Sequence, residues 1–361
     1  MGGMAGTDGG GGMAGTDGGG GLDGAVLYVT GDDGSLYAFS VGTWAQLSHT
    51  TGLPLTDGVR GIDADPQNGV LFIAHGGDDL GSSGHLLAWN LAQNRMVYDA
   101  TYNHGIDQLA YGGGKIYMPA GELANTTTWY VLDATTGMQV GTEVGGSYPH
   151  NTIDKNGHRY YGGRQDNYLR ILGVGAGMVG PSPSSQIGVR PFTVNATETR
   201  VWITWTHYRG FSVGDVTTGA ILTSVNFGAV PASYTPTAAS HGISLAPDGS
   251  EIYVLDTPNN QVRVYDATDA PALRATVSLT HPIFPGNESP CAYDCLRDGW
   301  LLHSGDGAYV YVGDSGDVID TRSRQIVHQI APLAQSRHGF IEIEWSHGAV
   351  VGTTTHFGTG R

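Results

Sequence analysis

The sequence predicts an all-β protein, one ring of seven four-stranded antiparallel sheets, and three observations carry that expectation. Short β-rich runs recur at intervals of roughly 40–50 residues, the spacing of sheet repeats arranged around an axis. Gly, Asn, Asp and Pro turns punctuate the runs, no long stretch has helical periodicity, and 58 glycines suit many tight turns. The run missing from the first repeat reappears at the other end of the chain, as HGFIEIEW from His338 to Trp345.

In chain order, AVLYVTGDDGSLYAFSVGTWAQL from Ala25 supplies the later strands of a sheet but no first one. RGIDADPQNGVLFIAHGG opens the second repeat at Arg60, and HGIDQLAYGGGKIYMPAG opens the third at His104. HNTIDKNGHRYYGGRQDNYLRIL follows from His150, and RPFTVNATETRVWITW from Arg190. The sixth repeat, His241 to Leu279, is the clearest. Its strands Ile243 to Leu245, Glu251 to Leu255, Gln261 to Tyr265 and Leu273 to Leu279 are separated by the turns Pro247-Asp248-Gly249, Thr257-Pro258-Asn259-Asn260 and Asp266-Ala267-Thr268. GWLLHSGDGAYVYVGD from Gly299 begins the seventh. A C-terminal strand that completes the first sheet leaves no exposed edge, which is how β-propellers close. The expectation is therefore a flexible Gly-rich linker over 1–23 and a single seven-bladed β-propeller over 24–361, its first blade closed by the C-terminal strand. The segment after Ser346 has no place in this scheme.

The sixth repeat is similar to the YVTN-type β-propeller repeat, whose blade reads approximately P-H-G-I-A-x-S-P-D-G-x-x-x-Y-V-T-N; Ser240 to Leu255 carries the likeness. The succession HNT at His150, RPFTVN at Arg190, SHGI at Ser240 and DVIDTRSRQIV at Asp317 resembles an exported bacterial subgroup of that family. The resemblance covers most of residues 100–330 and implies the fold, but no reaction. The Gly-rich leader and the loop CAYDC fall outside its pattern.

Composition removes several classes. Net charge is −16, from 33 acidic and 17 basic residues, without Lys/Arg clusters, so neither nucleic acid nor an anionic membrane is attracted. No apolar run approaches the length of a membrane-spanning helix. Residues 4–12, MAGTDGGGG, are repeated over 13–21, and their few apolar side chains make a tether rather than a core. Such a leader points to an extracytoplasmic protein, periplasmic, lipoprotein-tethered or secreted, although Met1-Gly2-Gly3-Met4 lacks the features of a signal peptide. Cys291 and Cys295, in Pro290-Cys291-Ala292-Tyr293-Asp294-Cys295, leave two readings open, a small-loop disulfide or two thiols.

The residue that opens each repeat carries the functional argument. First strands line a propeller's channel, so Arg60, His104, His150, Arg190, His241, Trp300 or a neighbour, and His338 are expected around one mouth. Asn151, Thr152, Phe192 and Ser240 adjoin them. Crowded basic groups are unfavourable unless an anion or metal sits among them. A structural alternative stands beside this, in which each imidazole merely ties its turn to the neighbouring blade.

Three functional readings follow. The first is binding of an anionic small molecule or acidic glycan, since Arg forks onto carboxylates and His offers donors. The second is a lyase or lactonase with His150 or His241 as base and Arg190 as stabiliser. The third is a transition-metal site of neutral imidazoles; calcium fits less well because it prefers oxygen. A scaffold that meets protein partners through its loops is open as well. The remaining histidines, His75 and His85 among them, read as outer-strand or turn residues. Tyr160, Tyr161 and Arg164 could reach a substrate, or pack a sheet face.

Overall fold

The computed structural model describes residues 22–31, 33–55, 58–77, 81–121, 125–184, 188–287 and 296–354. The duplicated leader and both cysteines lie outside them. Every sheet of the described residues is antiparallel, and seven sheets form the blades of a β-propeller. Blade 6 shows why the sequence folds this way. Its strands Ile243–Leu245, Glu251–Asp256, Gln261–Asp266 and Leu273–Ser278 match the expected runs to within a residue. Between the second and third of these, Pro258 lies in a short 3₁₀ turn, and Asn260 ends it in the left-handed region at φ 52°, a conformation Asn tolerates.

The blades divide their burial by radius. First and middle strands are buried almost along their length, as in Val189–Val194 and Arg200–Trp205, with apolar side chains predominating. Outer strands alternate, as in Ile221–Asn226, with one face to solvent. The core thus lies between neighbouring sheets. Val26, Leu36, Ile62, Leu71 and Trp89 join blades 1 and 2, and Trp300 and Tyr311 pack with Leu27 and Val29 across the closing seam.

Closure follows the expected route. Phe340–Ser346 pairs with Gly24–Thr30 as the first strand of blade 1. Gly339 makes the approach possible, because a Cβ there would meet Thr30 Oγ1 at 1.8 Å; the Thr30 hydroxyl instead donates to the Gly339 carbonyl at 3.0 Å. The sequence scheme omits one strand. Ala349–Thr353 turns back after Ser346 and pairs with Phe340–Ser346 on its free side, so blade 1 has five strands. Among the described residues no helix is long and apolar enough to cross a membrane.

Candidate functional site

Strand geometry brings most of the expected ring together. Arg60, His150, Arg190, His241 and His338 are buried and line one cavity of about 20 Å³, with Arg164, Thr237, Asp298 and Arg337 completing the wall. That volume holds a water or a small anionic group and little more. The His150 and His241 rings lie 6.0 Å apart, and those of His241 and His338 5.5 Å. Trp300 stands edge-on to His338 at 4.7 Å and to His241 at 5.3 Å, so it walls the cluster without entering the cavity lining.

His104 does not join this group. It lies in a separate groove with Tyr102, Thr126 and Tyr130, and Asp107 takes the ring position of blade 3. The tetrapeptides RGID at Arg60 and HGID at His104 look equivalent but are three residues out of register. Arg60, Asp107 and His150 each stand five residues before their strand ends, at Asp65, Gly112 and Lys155. The tight turn Gly113-Gly114, both at positive φ, fixes that end in blade 3. Packing enforces the same register, because a Cβ on Gly61 would lie 2.8 Å from Gln108 Cα. Counting back from the glycine turn is the sequence signal that identifies Asp107.

Among the described residues, Asp107 and Asp298 partner basic groups of the ring. Asp107 accepts from His150 Nδ1 at 2.5 Å and lies 3.7 Å from Arg60. Asp298 accepts from Arg337 Nη1 at 2.7 Å and lies 3.2 Å from His241 Nδ1, which also donates to the Gly299 carbonyl at 3.0 Å. The mutual repulsion expected from the sequence is thus partly neutralised from within. Burial, reinforced by the neighbouring Arg337, His150 and Arg190, pushes the His241 imidazole down to about 3, against the pull of Asp298. Neutral at physiological pH, His241 adds no charge to the ring. Burial disfavours the Asp298 carboxylate, but the charge and hydrogen bond of Arg337, with Arg190 beyond it, outweigh burial and hold Asp298 below the usual carboxylate range. The guanidiniums of Arg60, Arg164, Arg190 and Arg337 line the same cavity, so its described wall carries more basic than acidic side chains.

The other expected residues have structural placements. Thr152 Oγ1 accepts from Trp129 Nε1 at 2.6 Å, which ties blade 4 to blade 3. Ser240 Oγ accepts from the Gly210 amide at 3.0 Å, and Phe192 is buried in the inter-blade core. Asn151 is fully buried beside the ring, and its side-chain amide has no hydrogen-bond partner among the described residues. Tyr160 and Tyr161 donate to Glu198 and Glu143, whereas Arg164 reaches the cavity and Thr237 Oγ1 at 3.3 Å. Arg190 donates to Thr206 Oγ1 at 3.0 Å and to Thr237 Oγ1. Arg337 and Asp298 escape an alignment by repeat opening because each sits one residue before it.

No protein-family model and no curated protein matches the chain. Solved structures do. A functionally unknown protein from Desulfotomaculum acetoxidans is 12% identical with a TM-score of 0.63, over 88% of this chain and 98% of that one. A chain of the mitotic checkpoint complex is 12% identical with a TM-score of 0.59, over 80% of each. The dihydro-heme d1 dehydrogenase NirN, in complex with DHE, is 12% identical with a TM-score of 0.57, over 92% of this chain and 73% of that one. At such identities the likeness is one of fold.

Proposed function

We propose that this propeller binds a small anion, or the carboxylate end of a larger molecule, in the cavity at the mouth of its channel. One observation carries the reading: four guanidiniums, those of Arg60, Arg190 and Arg337 buried and that of Arg164 half-buried, converge with three imidazoles on one small cavity, in a chain whose net charge is −16. Like charges gathered in a low-dielectric site repel one another, and an anion among them is held by charge-assisted hydrogen bonds. The small volume supports a group of carboxylate size; an acidic glycan would enter only by its carboxylate. Membership of the YVTN-type repeat family and an extracytoplasmic location belong to the same proposal, supported by the repeat likeness and the Gly-rich leader. Calorimetric titration with acetate and formate tests the binding. Saturable binding that weakens at least about tenfold in Arg190→Gln is expected, the usual scale for losing a charged hydrogen bond. Binding equal in Arg190→Gln and the parent would overturn the reading.

A second reading, the lyase or lactonase, is favoured by the Asp107–His150 pair. At 2.5 Å the carboxylate orients the imidazole through Nδ1 and leaves Nε2 as the proton acceptor. His241, at about 3, is too weak a base for that role at neutral pH. New double bonds from uronates, or acid released from lactones, lost in His150→Ala would support it; no turnover above the His150→Ala background leaves a binding protein.

A further inference from the structure

We propose that His75, His85 and Asp99, on the outer part of blade 2, form a binding site for a divalent transition-metal ion of the zinc class, separate from the channel. Sheet register assembles it. His75 on Val70–Gly76 is the cross-strand partner of His85 on Gly84–Asn90, so both imidazoles project from one face. Asp99, on Arg95–Tyr102, pairs with Leu87 and is the diagonal neighbour of His85 on that face. The rings stack at 4.9 Å with 16° between their planes. Asp99 Oδ1 lies 3.3 Å from His75 Nε2 and 3.9 Å from His85 Nδ1. One ligand atom from each residue falls within 4.8 Å of the other two.

These spacings suit a tetrahedral ion. Zinc bonds of about 2.0–2.1 Å to imidazole nitrogen and about 2.0–2.2 Å to carboxylate oxygen place neighbouring ligand atoms about 3.3 Å apart. The His75–Asp99 edge already has that length, and the other edges close by small side-chain rotations. Two imidazoles with one carboxylate are a donor set for zinc, cobalt or nickel, and a poor one for calcium or magnesium. Burial is graded in the way a usable site requires. His75 is 1% exposed, while His85 and Asp99 are 25% and 21% exposed, which leaves a solvent-facing position for a fourth ligand. Thr101 Oγ1 lies 3.3 Å from His85 Nδ1, so an arriving ion displaces that hydroxyl from the lone pair. Among the described residues the channel histidines form no comparable group.

The test is metal binding by the full chain, with zinc and cobalt(II) as probes. Equilibrium dialysis is expected to give one tightly held zinc per chain. His85→Ala and Asp99→Asn are each expected to weaken it more than about tenfold, since even a lost outer-shell partner costs about 10–100-fold. His347→Ala, a histidine elsewhere on the chain, is expected to change nothing. Substitutions at the part-exposed residues spare the buried His75, and thermal melting confirms that each variant folds. Zinc binding unchanged in both variants, or lost equally in His347→Ala, would overturn the site. Cobalt(II) spectroscopy of the unmodified protein gives an independent decision. Intense visible bands of a four-coordinate ion are expected, and the weak spectrum of hydrated cobalt would refute the assignment.

Discussion

Asp298→Asn moves anion affinity and stability in opposite directions. Asp298 is buried, 2.7 Å from Arg337 Nη1 and 3.2 Å from His241 Nδ1. The amide keeps the shape and an acceptor for Arg337 but removes the negative charge that Asp298 contributes to the cavity wall. Breaking a buried ion pair from one side costs about 3–5 kcal/mol, and the retained acceptor places this change near about 3. For an anion about 6 Å from the former carboxylate, at an effective dielectric of about 20, losing the repulsion is worth about 3 kcal/mol. That corresponds to about a hundredfold tighter binding. Asp298 is held below its usual range, so its ionised form stabilises the fold above its unfolded value, and that contribution is lost as pH falls through the folded value. The stability gap between parent and variant is therefore widest at neutral pH and closes in acid. Acetate titration by calorimetry and thermal melting from pH 4 to pH 8 measure both quantities. A folded variant that binds acetate no tighter than the parent would refute the charge accounting.

Other substitutions probe separate terms. Burial raises Glu342, which accepts from Tyr311 Oη and the Gly305 amide, to about 7. The unfolded chain therefore ionises first as pH climbs from about 4.5, and Glu342→Gln should gain on the order of 3 kcal/mol at pH 8 and nothing at pH 4, checked by urea unfolding at both. Burial likewise pushes His303 down to about 3, so the unfolded chain takes up a proton the folded chain refuses between about 6.5 and 3. Stability falls as pH falls across that window, and His303→Gln should flatten the slope; an equal slope in both proteins would contradict this. Gly339→Ala forces a Cβ against Thr30 Oγ1 at the closing seam and is expected to lower stability by about 1–3 kcal/mol. A melting temperature equal to the parent's would show that the seam yields easily.

The architecture was legible because each blade repeats local rules. Alternating outer strands, apolar inner strands and Gly, Asn and Pro turns speak in short windows, so the strands of blade 6 and the closure by Phe340–Ser346 could be read directly. The strand Ala349–Thr353 was not legible, because it belongs to no repeat. In the site, Arg60, His150, Arg190, His241 and His338 were placed by repeat position, since their strands all start at the channel. His104 was misplaced because a similar tetrapeptide outweighed turn length, which is what sets register in blade 3. Asp107 and Asp298 were not legible for a related reason. Repeat position marks the basic residues that open the blades, whereas their pairing depends on which acids lie across from them in space. His75, His85 and Asp99 are remote in sequence pattern and meet only through cross-strand register.

Bromide diffraction from crystals soaked in the anion tests the central claim most directly, because an anomalous peak reports position and charge preference together. The account predicts a bromide inside the channel-mouth cavity, among Arg60, Arg164, Arg190 and Arg337, that disappears in Arg190→Gln. Bromide found only on the outer surface, with the cavity holding neutral water in both proteins, would contradict it.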